Sequence, residues 1–381
     1  MREVPFLDLR AQYAPIAEDV QRELREVCES GSFILGAKVE AFEEAFARSI
    51  GVRHCVAVNS GTSALHLAMA VLEIGPGDEV IVPAMTFIAT AWGAMYNHAR
   101  VVLADVDPAT RTMAPGSLEA AITSRTRAII PVHLYGQPAD LEAIMAIAGP
   151  RGIPVVEDAA QAHLATSRGR AVGGIGLMGC FSFYPTKNLG AYGEGGAVVT
   201  NDSGLARRLR ALRDHAQAER HRHDELGYNY RMDAFQGAVL NVKLKHLPRW
   251  SSERRGVAAQ YRERLAPLVE RGLIEIPREP SWSCGVFHHY VVLVSDRDRV
   301  KDAMTAAGVG VGLHYPVPLH LQKCMAAAGH ARGDFPAAER IADRCLSLPI
   351  FPELAGDDVA YVARTLAEIL AGEAPPVLRR A

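Results

Sequence analysis

One lysine, Lys187, stands in the stretch FSFYPTKNLGAYGEGGAVVTND, which runs from Phe181 to Asp202. Strand-like apolar runs flank it, and Gly190, Gly193, Gly195 and Gly196 crowd the middle. Pro185 forbids a continuous helix between Ser182 and Lys187. A lysine amine at a strand end, short of solvent, has a lowered pKa and can form a Schiff base with a carbonyl carbon. The ordinary alternative is a surface lysine. Against it, the clustered glycines suggest a backbone packed closely around something.

Two other segments could complete a site with such an amine. In VAVNSGTSALHLA a strand ends near Asn59, a turn of small residues (Ser60, Gly61, Thr62, Ser63) follows, and a helix begins. Free N–H groups at a helix start, with hydroxyls beside them, make an anion site; they are equally the mark of an ordinary N-cap by Ser60 or Thr62. In IPVVEDAAQAH an apolar strand ends in Glu157 and Asp158, with Gln161 and His163 beyond. An acid at the carboxyl end of a parallel strand can pair with a ligand cation, or cap the next helix. Taken together, an anion cup, an acid and an amine match the phosphate, the ring nitrogen and the aldehyde of pyridoxal phosphate. Gly174–Gly179 also fits G-x-G-x-x-G, the dinucleotide fingerprint, but a strand-like run follows it where a helix is required. It reads as a turn, and no nicotinamide cofactor is expected.

The elements that must position these residues alternate from about residue 54. HCVAVNS, DEVIVPA, RVVLADV, RAIIPVHLYG and IPVVEDAA read as strands, with the helical patterns SALHLAMAVLEIG, TFIATAWGAMYNHA and ADLEAIMAIAGPRG between them. Such alternation predicts an α/β domain with a mostly parallel sheet covered by helices on both faces. After about residue 250 the pattern changes. HHYVVLV and VGVGLHYP read as strands, and RVKDAMTAAG, AAERIADRCL and DDVAYVARTLAEILAG as helices, which suggests a smaller α+β domain. The expected division is 1–248, a large cofactor-binding domain, and 249–381, with the N-terminal segment free to pack on the smaller one. A long helix interrupted near Pro248 joins them, and the tail GEAPPVLRRA is expected to fray.

Composition narrows the function. With 381 residues and a net charge of -2, the chain lacks the basic excess that phosphate-backbone binding demands, so nucleic acid is not its partner. The arginine run from Arg207 to Arg213 carries Leu205, Leu209 and Leu212 at helical spacing and reads as one helix with a solvated basic face. The six cysteines form no C-x-x-C pair and suit a reducing, cytoplasmic compartment. No signal core or membrane span is expected. His133, His215, His221, His223, His288 and His289 show no ligand spacing with acids or cysteines, so no metal site is expected. His288-His289, just before a strand, reads as structural.

NSGTSALHLA, VEDAAQAH, FSFYPTKNLGAYGEGGAVVTND, GYNYRMDAFQGAVL and HYPVPLHLQ together resemble the DegT/DnrJ/EryC1/StrS family of sugar aminotransferases, over nearly the whole chain from FLDLRAQY to LSLPIFPEL. The resemblance implies the type I fold of pyridoxal-phosphate enzymes, with a seven-stranded type of sheet, and a homodimer with shared active sites. It implies that Lys187 holds the cofactor aldehyde, Asp158 pairs with the pyridinium nitrogen, Gln161 contacts the ring oxygen and Phe87 stacks on the ring. It implies Gly61, Thr62, Ser63 and Ser182 around the phosphate, with Asn229 reaching the phosphate of the other subunit's cofactor. Tyr184, Arg231, His314, Tyr315 and His320 are its implied substrate contacts. The implied reaction moves an amino group from an amino acid, L-glutamate, to a ketosugar carried on a nucleotide, at C3 or C4 with C3 favoured. The alternatives are a pyridoxal-dependent sugar dehydratase, in which histidine replaces the lysine, and a non-catalytic cofactor-binding sensor. Leu164 departs from the family pattern, which has glycine after His163.

Overall fold

The structure, a computed structural model, describes residues 2–219, 221–223 and 225–372. The tail expected to fray lies outside the described residues from position 373 on.

Seven strands form the central sheet: β1 (His54–Val58), β2 (Glu79–Pro83), β3 (Arg100–Ala104), β4 (Thr126–Ile129), β5 (Val156–Asp158), β6 (Met178–Ser182) and β7 (Gly196–Thr200). Hydrogen-bonded ladders give the orders β3-β2-β4 and β5-β6-β7-β1. Parallel bridges Ile129–Val155 and Val132–Asp158 join the two halves. β2 is parallel to β3 and β4, and β5 to β6, while β7 runs antiparallel to both β6 and β1. The near-continuous apolar runs are explained by burial on both faces: every residue of β2 and β7 is buried.

The one reversed strand decides where the lysine goes. Ser182, the last residue of β6, pairs with Gly196, the first of β7. The connecting loop, residues 183–195, therefore stays at one sheet edge, without a crossover helix. That edge also holds the carboxyl ends of β1, β2, β4 and β5, where an open α/β sheet presents its ligand crevice.

A second apolar core gathers Val257, Tyr261, Tyr290, Val292, Val300, Leu346, Val359 and Leu366, with Val4 from the N-terminus. It is built on an antiparallel sheet of Ile274–Glu275, Tyr290–Val294 and Cys345–Leu348. The helix expected to break near Pro248 is two helices, Ala234–Leu244 and Leu247–Glu270; the break falls at Lys245-His246, and Pro248 sits in the first turn of the second. The strand expected in VGVGLHYP does not form. Val309 and Gly312 make only isolated bridges, to Val4 and Ser347. The glycines there serve close approach instead: a Cβ on Gly310 would lie 2.6 Å from the Phe6 nitrogen.

The arginine run is a helix, Ser203–Arg213, but its basic face is not all solvated. Arg213 is buried, and its Nη1 donates to Glu43 Oε1 at 2.6 Å and to the Ala57 carbonyl at 2.8 Å. Among the described residues no helix is long and apolar enough to cross a membrane, and no three His, Cys, Asp or Glu side chains converge as a metal cluster. All six cysteines are unpaired.

Candidate active site

The strand ends enclose a cavity of about 800 Å³. Lys187 lines it together with Gly61, Thr62, Phe87, Asp158, Gln161, Ser182, Tyr184, His314 and Tyr315.

The anion cup comes from chain geometry. α1 (Gly61–Val71) begins directly after Ser60, whose Oγ accepts from the Ser63 N–H at 3.0 Å. Ser60 is thus the N-cap, and the Ala64 N–H is taken by the Ser60 carbonyl. The Gly61 and Thr62 N–H groups find no acceptor among the described residues and remain at the positive end of the helix dipole. Ser182 lies against them: a Cβ on Gly61 would stand 2.6 Å from Ser182 Cβ, and one on Gly196 2.3 Å from the Ser60 carbonyl carbon. The two glycines hold no ligand through side chains; they let helix start and strand end close into one cup. His163 braces it from behind. Its Nε2 donates to the Ser182 carbonyl at 3.0 Å, and burial drives its pKa down to about 3, so the ring is neutral. Leu164 sits at φ 64, the left-handed conformation that glycine adopts freely. The departure from the family pattern keeps the loop shape despite its side chain.

The acid is prepared for a cation. Asp158 is buried; Oδ2 accepts from Thr90 Oγ1 at 2.7 Å and Oδ1 from the Ala160 N–H at 3.1 Å, and Thr90 is in turn 2.9 Å from Thr86 Oγ1. Burial raises its pKa, opposed by those two hydrogen bonds and by Lys187. A protonated ring nitrogen is the partner such a carboxylate lacks.

The neighbouring Glu157 faces the other way, because successive strand residues alternate faces. It accepts from the N–H groups of Gly173 (2.6 Å), Ile175 (2.8 Å) and Gly176 (2.6 Å), and from His133 Nε2 at 3.0 Å. His133 Nδ1 accepts from the Ala139 N–H, so Nε2 carries the proton. The G-x-G-x-x-G turn thus wraps the protein's own carboxylate.

The amine is held by its loop. The Lys187 N–H donates to the Tyr184 carbonyl at 2.8 Å, and Asn188 Nδ2 to the Val286 carbonyl at 3.0 Å. Buried Lys243 donates to the Gly190 carbonyl at 2.5 Å. Burial lowers the Lys187 pKa to about 8, with Asp158 acting in the opposite sense.

The remaining walls are aromatic and neutral. Gln161 is fixed at both ends, its Oε1 accepting from the Tyr135 N–H at 2.6 Å and its Nε2 donating to the Tyr315 hydroxyl at 2.9 Å. The Tyr315 proton is left free to donate. The Phe87 ring, half-exposed, stands 5.7 Å from that of Tyr315. His314 stacks on His289 at 3.8 Å, and burial takes its pKa down to about 4.

Four expected site residues stand elsewhere. The Ser63 hydroxyl is 2.9 Å from Ser60 Oγ, inside the cap. Asn229 is exposed, bridged to Asp214, and Arg231 pairs with Asp214 at 2.8 Å. His320 is buried 2.9 Å from Glu339 Oε1. Conversely, Thr86, Arg254, His288 and His289 line the cavity without having been expected there. The doublet just before a strand is the signal that the sequence carries for the last two.

This arrangement fits pyridoxal phosphate: two free N–H groups with two hydroxyls for the phosphate, a buried carboxylate for the ring nitrogen, and an amine of lowered pKa for the aldehyde. The family model described as the DegT/DnrJ/EryC1/StrS aminotransferase family matches residues 15–367. The chain is 45% identical over 369 residues to the UDP-N-acetyl-3-dehydro-alpha-D-glucosamine 3-aminotransferase of Acidithiobacillus ferrooxidans, covering 97% of this chain and 98% of that one. Its fold matches the crystal structure of Streptomyces venezuelae DesV in complex with a ketimine intermediate, with TM-score 0.94 and 42% identity over 97% of this chain and 99% of that one. It matches NtdA of Bacillus subtilis with bound PMP at TM-score 0.89 and 30% identity, over 97% of this chain and 86% of that one. The chain belongs to the DegT/DnrJ/EryC1/StrS aminotransferase family, with the type I fold of pyridoxal-phosphate enzymes.

Proposed function

We propose that the protein transfers the amino group of an amino acid, L-glutamate, to a ketosugar carried on a nucleotide, and that it aminates C3. The observation that carries this reading is Lys187, an amine of lowered pKa in the same cavity as the buried carboxylate of Asp158 and the cup at Ser182. The choice of C3 is supported by the similarity to the 3-aminotransferase of Acidithiobacillus ferrooxidans.

Pyridoxal phosphate, when bound, supplies a carbonyl carbon for amine exchange and a ring that takes up electron density from the donor's α-carbon. Lys187 Nζ would hold that carbon and, as a free amine, would move the proton taken from the donor α-carbon. Asp158 would pair with the protonated ring nitrogen, and the Thr90 and Ala160 hydrogen bonds favour its ionised form against the rise that burial causes. Gln161 would contact the ring oxygen, and Phe87 would stack on the ring. Gly61, Thr62 and Ser182 bind the phosphate, with Ser63 holding the Ser60 cap beneath it. Tyr184, His314 and Tyr315 line the path of the sugar.

The exposed position of Asn229 supports a homodimer in which it reaches the phosphate at the neighbouring subunit's site. His320 is buried against Glu339, so any role toward the sugar would be indirect. We further infer that the chain divides into units at 1–248 and 249–381, and that it works in the cytoplasm, a compartment that suits its unpaired cysteines.

The test is the visible absorption of the purified protein. A band bleached by L-glutamate and restored by a 2-oxo acid is expected. A protein that takes up pyridoxal phosphate but leaves its band unchanged by any amino acid, while removing water from a sugar nucleotide, would replace this reading by the dehydratase.

A further inference from the structure

Arg254 is the least accounted-for charge at this site. It lies on the helix Leu247–Glu270, is 2% exposed, and lines the same cavity as Lys187. Its Nη1 donates to two carbonyls, Phe287 at 3.2 Å and Ile350 at 2.9 Å. Among the described residues no carboxylate forms an ion pair with it, and its Nη2 and Nε have no acceptor. Glu353 acts on it only through space, and burial brings its pKa down to about 10, so it stays charged at neutral pH. A buried cation without a counter-ion is costly, and it is retained where a ligand supplies the opposite charge.

Its neighbours select which anion. Phe6, Leu7 and Ile350 are apolar, and His288 and His289 are held neutral by burial, with Arg254 and Lys187 both adding to that effect. Lys187 and Arg254 are the two cationic side chains among the residues lining the cavity. Lys187 is committed to the carbonyl chemistry, so an incoming anion finds one permanent charge. A guanidinium fixed on one nitrogen presents the rest of its planar fork, the shape that a carboxylate matches with two parallel hydrogen bonds. A diphosphate, bearing more charge, would be left undercompensated in this apolar wall.

We propose that Arg254 binds a carboxylate of the amino donor and so selects an amino acid, rather than a simple amine, for the first half of the reaction. This rests on the aminotransferase reading. His288 and His289 line the same cavity as Arg254 and Lys187.

The test follows the cofactor band of the holoenzyme in single turnover. Arg254→Gln is expected to raise the half-saturating concentration of L-glutamate at least about tenfold, the loss of a charge-assisted pair. Competition by UDP should be unchanged. Arg254→Lys, which keeps the charge but not the fork, should fall between the variant and wild type. If Arg254→Gln fails to hold the cofactor, the lysine variant decides alone: a raised half-saturation with an unaltered band is expected. Unchanged glutamate saturation in either cofactor-loaded variant overturns the proposal. Weakened UDP competition with normal glutamate saturation also overturns it, and assigns Arg254 to phosphate. A wild-type band that ignores glutamate would instead refute the aminotransferase reading.

Discussion

Two glycine-rich stretches of this chain look alike as strings and do opposite things. Gly173–Gly179 turns three backbone N–H groups onto Glu157, a carboxylate the protein itself provides, and His133 closes the shell. The stretch from residue 183 to Gly196 closes around a place the protein does not fill. It brings Lys187 to the cavity and lets Ser182 meet the start of α1, where the Gly61 and Thr62 N–H groups stay free. Backbone packed around an internal ion gives a rigid, finished unit. Backbone packed beside unspent donors gives a binding site.

The sharpest break of this comparison is Lys187→Ala, which should lower transamination on the order of 10⁴-fold, measured by amine transfer with saturating glutamate. The cup should survive, so the variant should still take up pyridoxal phosphate without the normal Lys187-linked band. Next comes pH. With its pKa lowered to about 8, Lys187 is mostly protonated below that value, and only the neutral amine attacks. Cofactor uptake by the apoenzyme should slow about tenfold per pH unit below 8 and level off above it; a flat profile from pH 6 to 9 would mean that burial does not tune this amine. Gly196→Ala places a Cβ 2.3 Å from the Ser60 carbonyl carbon. It should cost about 1–3 kcal/mol, read as weaker cofactor affinity and a lower melting temperature together. The effect confined to stability is Glu157→Gln, which keeps the shape but turns an amide N–H₂ toward two of the four groups that donate to Glu157. A loss of about 1–3 kcal/mol in stability, with glutamate saturation unchanged, would mark the first stretch as purely architectural.

How far the sequence reaches follows the same division. The strands of the main sheet are legible because burial on both faces leaves runs such as DEVIVPA without polar interruption. The reversal of β7 is not announced by its own residues; the trace is the lack of any helical pattern between Phe181 and Val198. Of the adjacent acids Glu157 and Asp158, residue type could not choose. The strand's alternation does, once the cavity face is known. Lys187, Ser182 and Gly61 stand in one local context each and could be singled out. Arg254 could not: beside Arg255 on a helix it reads as one more solvated charge, and its burial is made by segments around Phe6, Phe287 and Ile350, far off in the chain. The strand expected in VGVGLHYP failed for a related reason, since its glycines answer to the N-terminal segment rather than to a neighbouring strand.

The reversed β7 also sets an order of assembly. Its partner on the outer side is β1, paired from His54↔Thr200 to Val58↔Gly196. The anion cup therefore closes only when a segment near residue 60 meets one near residue 196, the kind of contact between distant parts of the chain that forms late and slowly. A chain emerging from the ribosome carries Ser60, Gly61 and Thr62 long before it can grip a phosphate. Recovery of the cofactor band during refolding would therefore time the closing of the sheet, not the appearance of its first strands.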